Sequence, residues 1–122
     1  GHLFVDKEKI LSWNPDIIFL DHGGSELIRQ DYAKKPYFYQ ALKAFKTKKV
    51  YMLYAFNWYM TNIDTVIVDA YAVGKIIYPE NFKDVKKDEK ADEIYSFFFG
   101  RPIYKKMEKA YGQIVDNPSY LR

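Results

Sequence analysis

The chain has 122 residues, 48% of them hydrophobic and 29% charged, which fits one globular domain with a single core and excludes a disordered tail. Its 19 Lys and Arg against 16 Asp and Glu are scattered for a net charge of +3, which excludes the basic footprint of a nucleic-acid binder. The lack of cysteine excludes disulfides, thiolate catalysis and Cys-based zinc sites, and no apolar run approaches the roughly 20 residues that cross a bilayer.

Asp6 is placed to cap a short helix running through Trp13, which Asn14-Pro15 ends because the residue before proline is pushed out of helical geometry. A strand over Ile17 to Asp21 follows, apolar enough to be covered on both faces, and Gly23-Gly24 offers a sharp turn at its carboxyl end. Ser25 can cap a further turn of helix. Pro36 opens another helix, with Phe38, Ala41, Leu42 and Phe45 expected on one face. Lys46 to Lys49 forms a polar turn before a second strand, Val50 to Tyr54. Strand, helical crossover and strand make a βαβ unit, so the predicted fold class is α/β with a parallel-type sheet and helices packed around it.

The second strand runs into the aromatic, amide-rich loop Ala55 to Asn62. Thr61 and Asp64 match a variant of the capping box that opens the longest helix, whose stripe is Ile63, Ile67, Ala70, Tyr71, Gly74 and Ile77, with Pro79 ending it. A helix capped by Asp88 carries Ala91, Ile94, Tyr95 and Phe98 and stops at Gly100, and a last one carries Ile103, Met107, Ala110, Tyr111 and Ile114. Two strands alone leave open edges. The opening strand of the sheet is therefore expected upstream of Gly1, as is any export signal.

Open α/β sheets bind ligands at the carboxyl ends of their strands, which directs attention to the two loops that follow these strands. Aromatic residues make up 19% of the chain, high for packing alone, and Tyr54, Phe56, Trp58 and Tyr59 lie in or beside the second loop with Asn57 and Asn62 as amide donors. Trp58 is expected to face a ligand and Phe56 to fold into the core. In the first loop His22 can touch a ligand, Asp21 is expected to shape the glycine turn, and Arg29 is a candidate contact for an anion. No nucleophile, base and orienter set is present, so catalytic residues are none and the protein is read as not an enzyme.

Several segments, taken in order, resemble one family. Asp6-Lys7-Glu8-Lys9-Ile10-Leu11 followed by Asn14-Pro15-Asp16-Ile17-Ile18 is similar to the "E-x-L-L-x-x-N-P-D-V-I" signature of solute-binding proteins for ferric siderophores, haem and cobalamin. Pro36-x-Phe38-Tyr39-x-x-Leu42-Lys43-Ala44-x-Lys46 with Val50-Tyr51 resembles that family's "W-x-x-L-x-A-V-K-x-G-R-V-Y" segment, with Lys48-Lys49 where a glycine turn is usual. Asn62-Ile63-Asp64-Thr65 resembles its entry into the helix after the ligand loop, and Pro79-Glu80-x-Phe82-Lys83-Asp84 its iron-complex branch.

The resemblance implies that residues 1–122 are the C-terminal lobe of a two-lobed protein, without its N-terminal lobe, connecting helix and first strand. It implies the substrate-binding component of an ABC importer, periplasmic or extracellular and anchored as a lipoprotein, that captures a ferric siderophore or similar iron complex, with haem or a corrinoid as the alternative. Trp58, Tyr59, Asn57, His22, Tyr54, Asn62 and Arg29 would contact the chelate. Glu8, also a first-turn carboxylate favoured by the helix dipole, would dock onto arginines of the membrane permease. No resident cofactor or protein-bound metal is implied, and the uncovered sheet edge leaves self-association of the fragment open.

Two other classes match parts of the sequence. Ile17-Ile18-Phe19-Leu20-Asp21-His22-Gly23-Gly24 also looks like the nucleophile strand of haloacid-dehalogenase-type phosphatases, but glycine stands where the second aspartate would act as general acid and base. A protein-interaction module displaying tyrosines is the third.

Overall fold

The computed structural model describes residues 3–121, which divide into two compact units, residues 3–52 with 117–121 and residues 53–116. Each holds its own apolar cluster, where composition suggested one core.

In the first unit, helix α1 (Lys7–Trp13) begins at Asp6, whose carboxylate accepts from Lys9 N at 2.7 Å. It ends at Asn14, which leaves helical geometry into the left-handed conformation at φ 41° that asparagine tolerates. Strand β1 (Ile18–Asp21) is one residue shorter than the expected Ile17 to Asp21. Asp21 Oδ1 accepts from Gly23 N at 2.6 Å and so shapes the following turn, as anticipated. That turn is a single 3-10 turn over His22–Gly24 and uses no left-handed glycine. Gly24, not Ser25, caps α2 (Ser25–Lys34).

Pro36 opens α3 (Pro36–Ala41), but the single helix expected through Phe45 is broken. Leu42 is extended at φ −75°, ψ 133°, and a new turn of helix, α4 (Lys43–Lys46), starts after it. The break drives Leu42 fully inward and resets the helical phase, so Tyr39 and Ala44 are buried and Ala41 is exposed. Strand β2 (Val50–Leu53) then pairs parallel with β1, opening with the bond from Ile18 N to Lys49 O at 3.0 Å. Phe38, Tyr39, Leu42, Ala44, Phe45 and Val50 form the core, with Tyr32 and Tyr120 against it at 5.0 Å between ring centroids. The chain end is tied to this unit by Asn117, whose Nδ2 donates to the carbonyls of Lys48 and Val50, each at 2.8 Å.

Helix α1 has no buried residue, and half-buried Ile10 is its hydrophobic contact with the core among the described residues. Charges hold it. Lys7 pairs with Asp31 and lies 4.9 Å above the Phe38 ring, while Tyr39 Oη donates to Asp31 Oδ2 at 2.6 Å. Just beyond the other end, Asn14 Oδ1 accepts from Lys43 N at 2.8 Å, and Lys43 Nζ pairs with Asp16 at 2.5 Å.

These pairs fix how stability changes in acid. The Lys7 ammonium, then the Tyr39 hydroxyl, hold the Asp31 carboxyl below its ordinary value; Arg29, then Gln30, bring Glu26 down to about 2. A carboxyl lowered on folding stabilises fully above its unfolded pKa, near ~4, and that contribution is lost as pH falls through the folded value. The urea midpoint is therefore expected to be flat from about pH 7 to 5 and to drop between about pH 4 and 2. Asp31→Asn should flatten part of the drop; an unchanged acid profile in that variant would show that the Lys7 pair does not stabilise the fold.

The second unit is helical, with α5 (Ile63–Ile77), α6 (Lys87–Phe99) and α7 (Tyr104–Tyr111). Tyr54, Val68, Ala72, Ala91, Ile94, Tyr95, Tyr104 and Ile114 form its core. On α5 the buried face is Thr65, Val68, Asp69, Ala72 and Gly74, whereas Ile63, Tyr71 and Ile77 of the expected stripe are exposed. Two local reasons turn the helix. Asp69 accepts from the backbone of Tyr54, and Gly74 lets the Phe82 ring approach so closely that an added Cβ would lie 2.5 Å from it. The expected caps shift as well: Asn62 precedes α5 with no side-chain cap, and Lys86 rather than Asp88 precedes α6. Gly100 ends α6 at φ 70°, its N–H donating to Ser96 O at 2.8 Å, as its position predicted. Ile114 lies beyond α7 and is nonetheless fully buried.

Candidate functional site

The candidate residues do not form one described constellation, because His22, Arg29 and Glu8 belong to the first unit and the aromatic loop belongs to the second. His22 is half-buried in the 3-10 turn after β1. Arg29 is exposed on α2 and held by Glu26 through two bonds, Nε to Oε2 at 2.7 Å and Nη2 to Oε1 at 2.6 Å. An incoming anion would have to compete with that carboxylate. Glu8 is exposed in the first turn of α1.

The loop after β2 is more sharply defined. Its root is Tyr54, only 2% exposed, whose N–H donates to Asp69 Oδ1 at 3.1 Å and whose hydroxyl donates to Gly112 O at 2.8 Å. Burial, followed by the neighbouring Tyr104 and Tyr95, pushes that hydroxyl's pKa far up, so it stays protonated and keeps donating. Tyr54 is therefore a core anchor, which corrects the expectation that its ring meets a ligand. Phe56 is correspondingly not the core ring of the loop and is 37% exposed.

Above this root the loop closes on itself, with Asn62 N donating to Phe56 O at 2.6 Å. Its tip is a three-residue γ-turn: Met60 N donates to Trp58 O at 2.8 Å across Tyr59, which sits at φ 61°. A positive-φ γ-turn centred on a side chain larger than glycine is rare and strained. Trp58, Tyr59 and Met60 are 69%, 93% and 79% exposed, and the Trp58 and Tyr59 rings meet edge-to-face at 5.7 Å. Asn57 is exposed beside them, and Asn62 is half-buried with no capping bond from its side chain. Four predicted residues thus share one loop: Asn57, Trp58, Tyr59 and Asn62. Asp69 was missed. Its only sequence signal is a carboxylate in the middle of a mostly apolar helix.

Because the Tyr59 ring is almost wholly in solvent, deleting it removes little packing while glycine relaxes the left-handed backbone. Tyr59→Gly is expected to leave the unfolding free energy unchanged or raise it by up to about 1 kcal/mol. A loss of more than that in urea titration would show that the tip is not strained.

Among the described residues no group of three or more histidines and carboxylates could hold a metal ion, and no helix is long and apolar enough to cross a membrane. No protein-family model matches the chain. Over 107 residues, 86% of its length, the chain is 27% identical to the molybdate-binding protein MolA of Haemophilus influenzae. It spans only 30% of that protein's length. The mixed fold, a parallel pair of strands with helices around it, is compatible with a lobe of a solute-binding protein.

Proposed function

We propose that this chain is a lobe of the solute-binding component of an ABC importer, working outside the cytoplasmic membrane and presenting its solute to a permease. The observation that carries this reading is the aromatic loop: a strained, closed tip at the carboxyl end of a parallel strand exposes Trp58, Tyr59 and Met60 where open α/β sheets take ligands. The ordered motifs over residues 6–100 and the likeness to a molybdate-binding protein support the same class. In this reading the solute rests against Trp58 and Tyr59, Asn57 and Asn62 donate hydrogen bonds, and Glu8 on the outward side of α1 meets cations of the permease. Capture and release, not bond chemistry, is the mechanism. Anchoring by a lipid belongs to the same proposal.

An iron complex is the finer assignment, because a chelate's organic shell matches aromatic side chains better than a bare oxyanion does. The second reading is an oxyanion, favoured by the name of the relative. Tryptophan fluorescence of the whole 122-residue chain, titrated with a ferric trihydroxamate and separately with sodium molybdate, decides between them. Saturable quenching by the chelate, weakened about tenfold or more in Trp58→Ala, supports the iron reading. Saturation by molybdate alone transfers the proposal to the oxyanion, and saturation by neither removes the solute-binding function.

A further inference from the structure

Resting on the reading that this loop faces a solute, we infer that it selects its ligand by charge, favouring chelates with a cationic or neutral exterior over anionic ones. From Val50 to Gly74 the sequence holds no Lys, Arg or His, although 19 of the 122 residues are Lys or Arg. The stretch comprises strand β2, the whole aromatic loop and most of α5. Its ionisable acids are Asp64 and Asp69. Asp64 lies in the first turn of α5, two residues past the loop, where its carboxylate offsets the partial positive charge that a helix start would otherwise offer an anion. Asp69 is buried at the loop's root, accepting from Tyr54 N.

The nearest cations along the chain are committed or distant. Lys75, the first after the loop, donates to the carbonyls of Phe82 and Val85. Lys48 and Lys49 precede β2, so the strand's four residues, roughly 13 Å, separate them from the loop. What the loop does present is the electron-rich faces of Trp58 and Tyr59, and such faces attract ammonium groups and repel carboxylates. A basic protein thus keeps its aromatic loop free of positively charged side chains.

The test varies charge on one iron shell. Ferrioxamine B carries a pendant ammonium, its N-acetyl derivative none, and its N-succinyl derivative a carboxylate; each is titrated against the 122-residue chain by tryptophan fluorescence, with sodium molybdate as the oxyanion probe. The expected order is ammonium, then neutral, then carboxylate, with about tenfold or more between the extremes, narrowing as salt is raised. Thr61→Lys, at an exposed loop position, should shrink or reverse that order, and Asn57→Lys serves as the second variant if the first does not fold. Equal or tighter binding of the succinyl derivative overturns the charge inference while the solute-binding reading stands. Binding of molybdate in preference to all three chelates also overturns it, and no binding of any probe overturns both.

Discussion

Leu42→Ala is expected to lower the unfolding free energy by about 3 kcal/mol, within the ~2–5 kcal/mol range of buried leucine truncations. Leu42 is 1% exposed and sits at the extended joint between α3 and α4, surrounded by the Phe38, Tyr39, Ala44, Phe45 and Val50 cluster. The side chain supplies the reason for the helical break: the chain abandons one turn so that Leu42 points inward. Removing it leaves a cavity that the stacked rings can only partly fill, because their edge-to-face and tilted contacts at 4.9–5.3 Å constrain one another. Leu42→Met, of similar volume, should cost less than about 1.5 kcal/mol. Equal costs for the two variants in urea titration would mean that the joint is set by the backbone and not by packing.

The second large effect is expected at Asp69. Alanine there leaves the buried Tyr54 N–H without its carboxylate acceptor, for a cost of about 2–3 kcal/mol, whereas Asp69→Asn keeps an oxygen in place and should cost less. The consequence reaches the loop, because Tyr54 is the residue from which the aromatic segment departs. Trp58 anisotropy is expected to fall in Asp69→Ala under fully native conditions, and tyrosine hydroxyl contacts at Gly112 alone should not restore it. An Asp69→Ala protein as stable as the parent, with an equally rigid Trp58, would place the loop's anchorage elsewhere.

Local signals in the sequence translated well. Asp6 caps α1, Pro36 opens α3, Gly100 closes α6, and the apolar run before Gly23-Gly24 pairs parallel with the one after Lys49. Each depends on a few neighbouring residues whose backbone preferences decide the outcome. The inward face of α5 was not legible, since periodicity counts apolar residues and cannot see that Asp69 is needed by Tyr54 fifteen positions away. The same limit hid the role of Tyr54, whose ring reads as a ligand contact until Gly112, much later in the chain, is found to accept its hydrogen bond. At the candidate site, the crowd of aromatic residues was visible from composition. The γ-turn that strains Tyr59 was not, because nothing in Trp-Tyr-Met announces a left-handed residue.

Helix α1 rests on ions where the rest of its unit rests on oil: Lys7 on Asp31 at one end, Lys43 on Asp16 near the other, and a single half-buried isoleucine between. Exposed ion pairs fade with ionic strength, whereas apolar contacts do not. The segment that displays Glu8 is therefore the one whose seating answers to the salt around it, and its attachment can loosen while the aromatic cluster beneath stays shut.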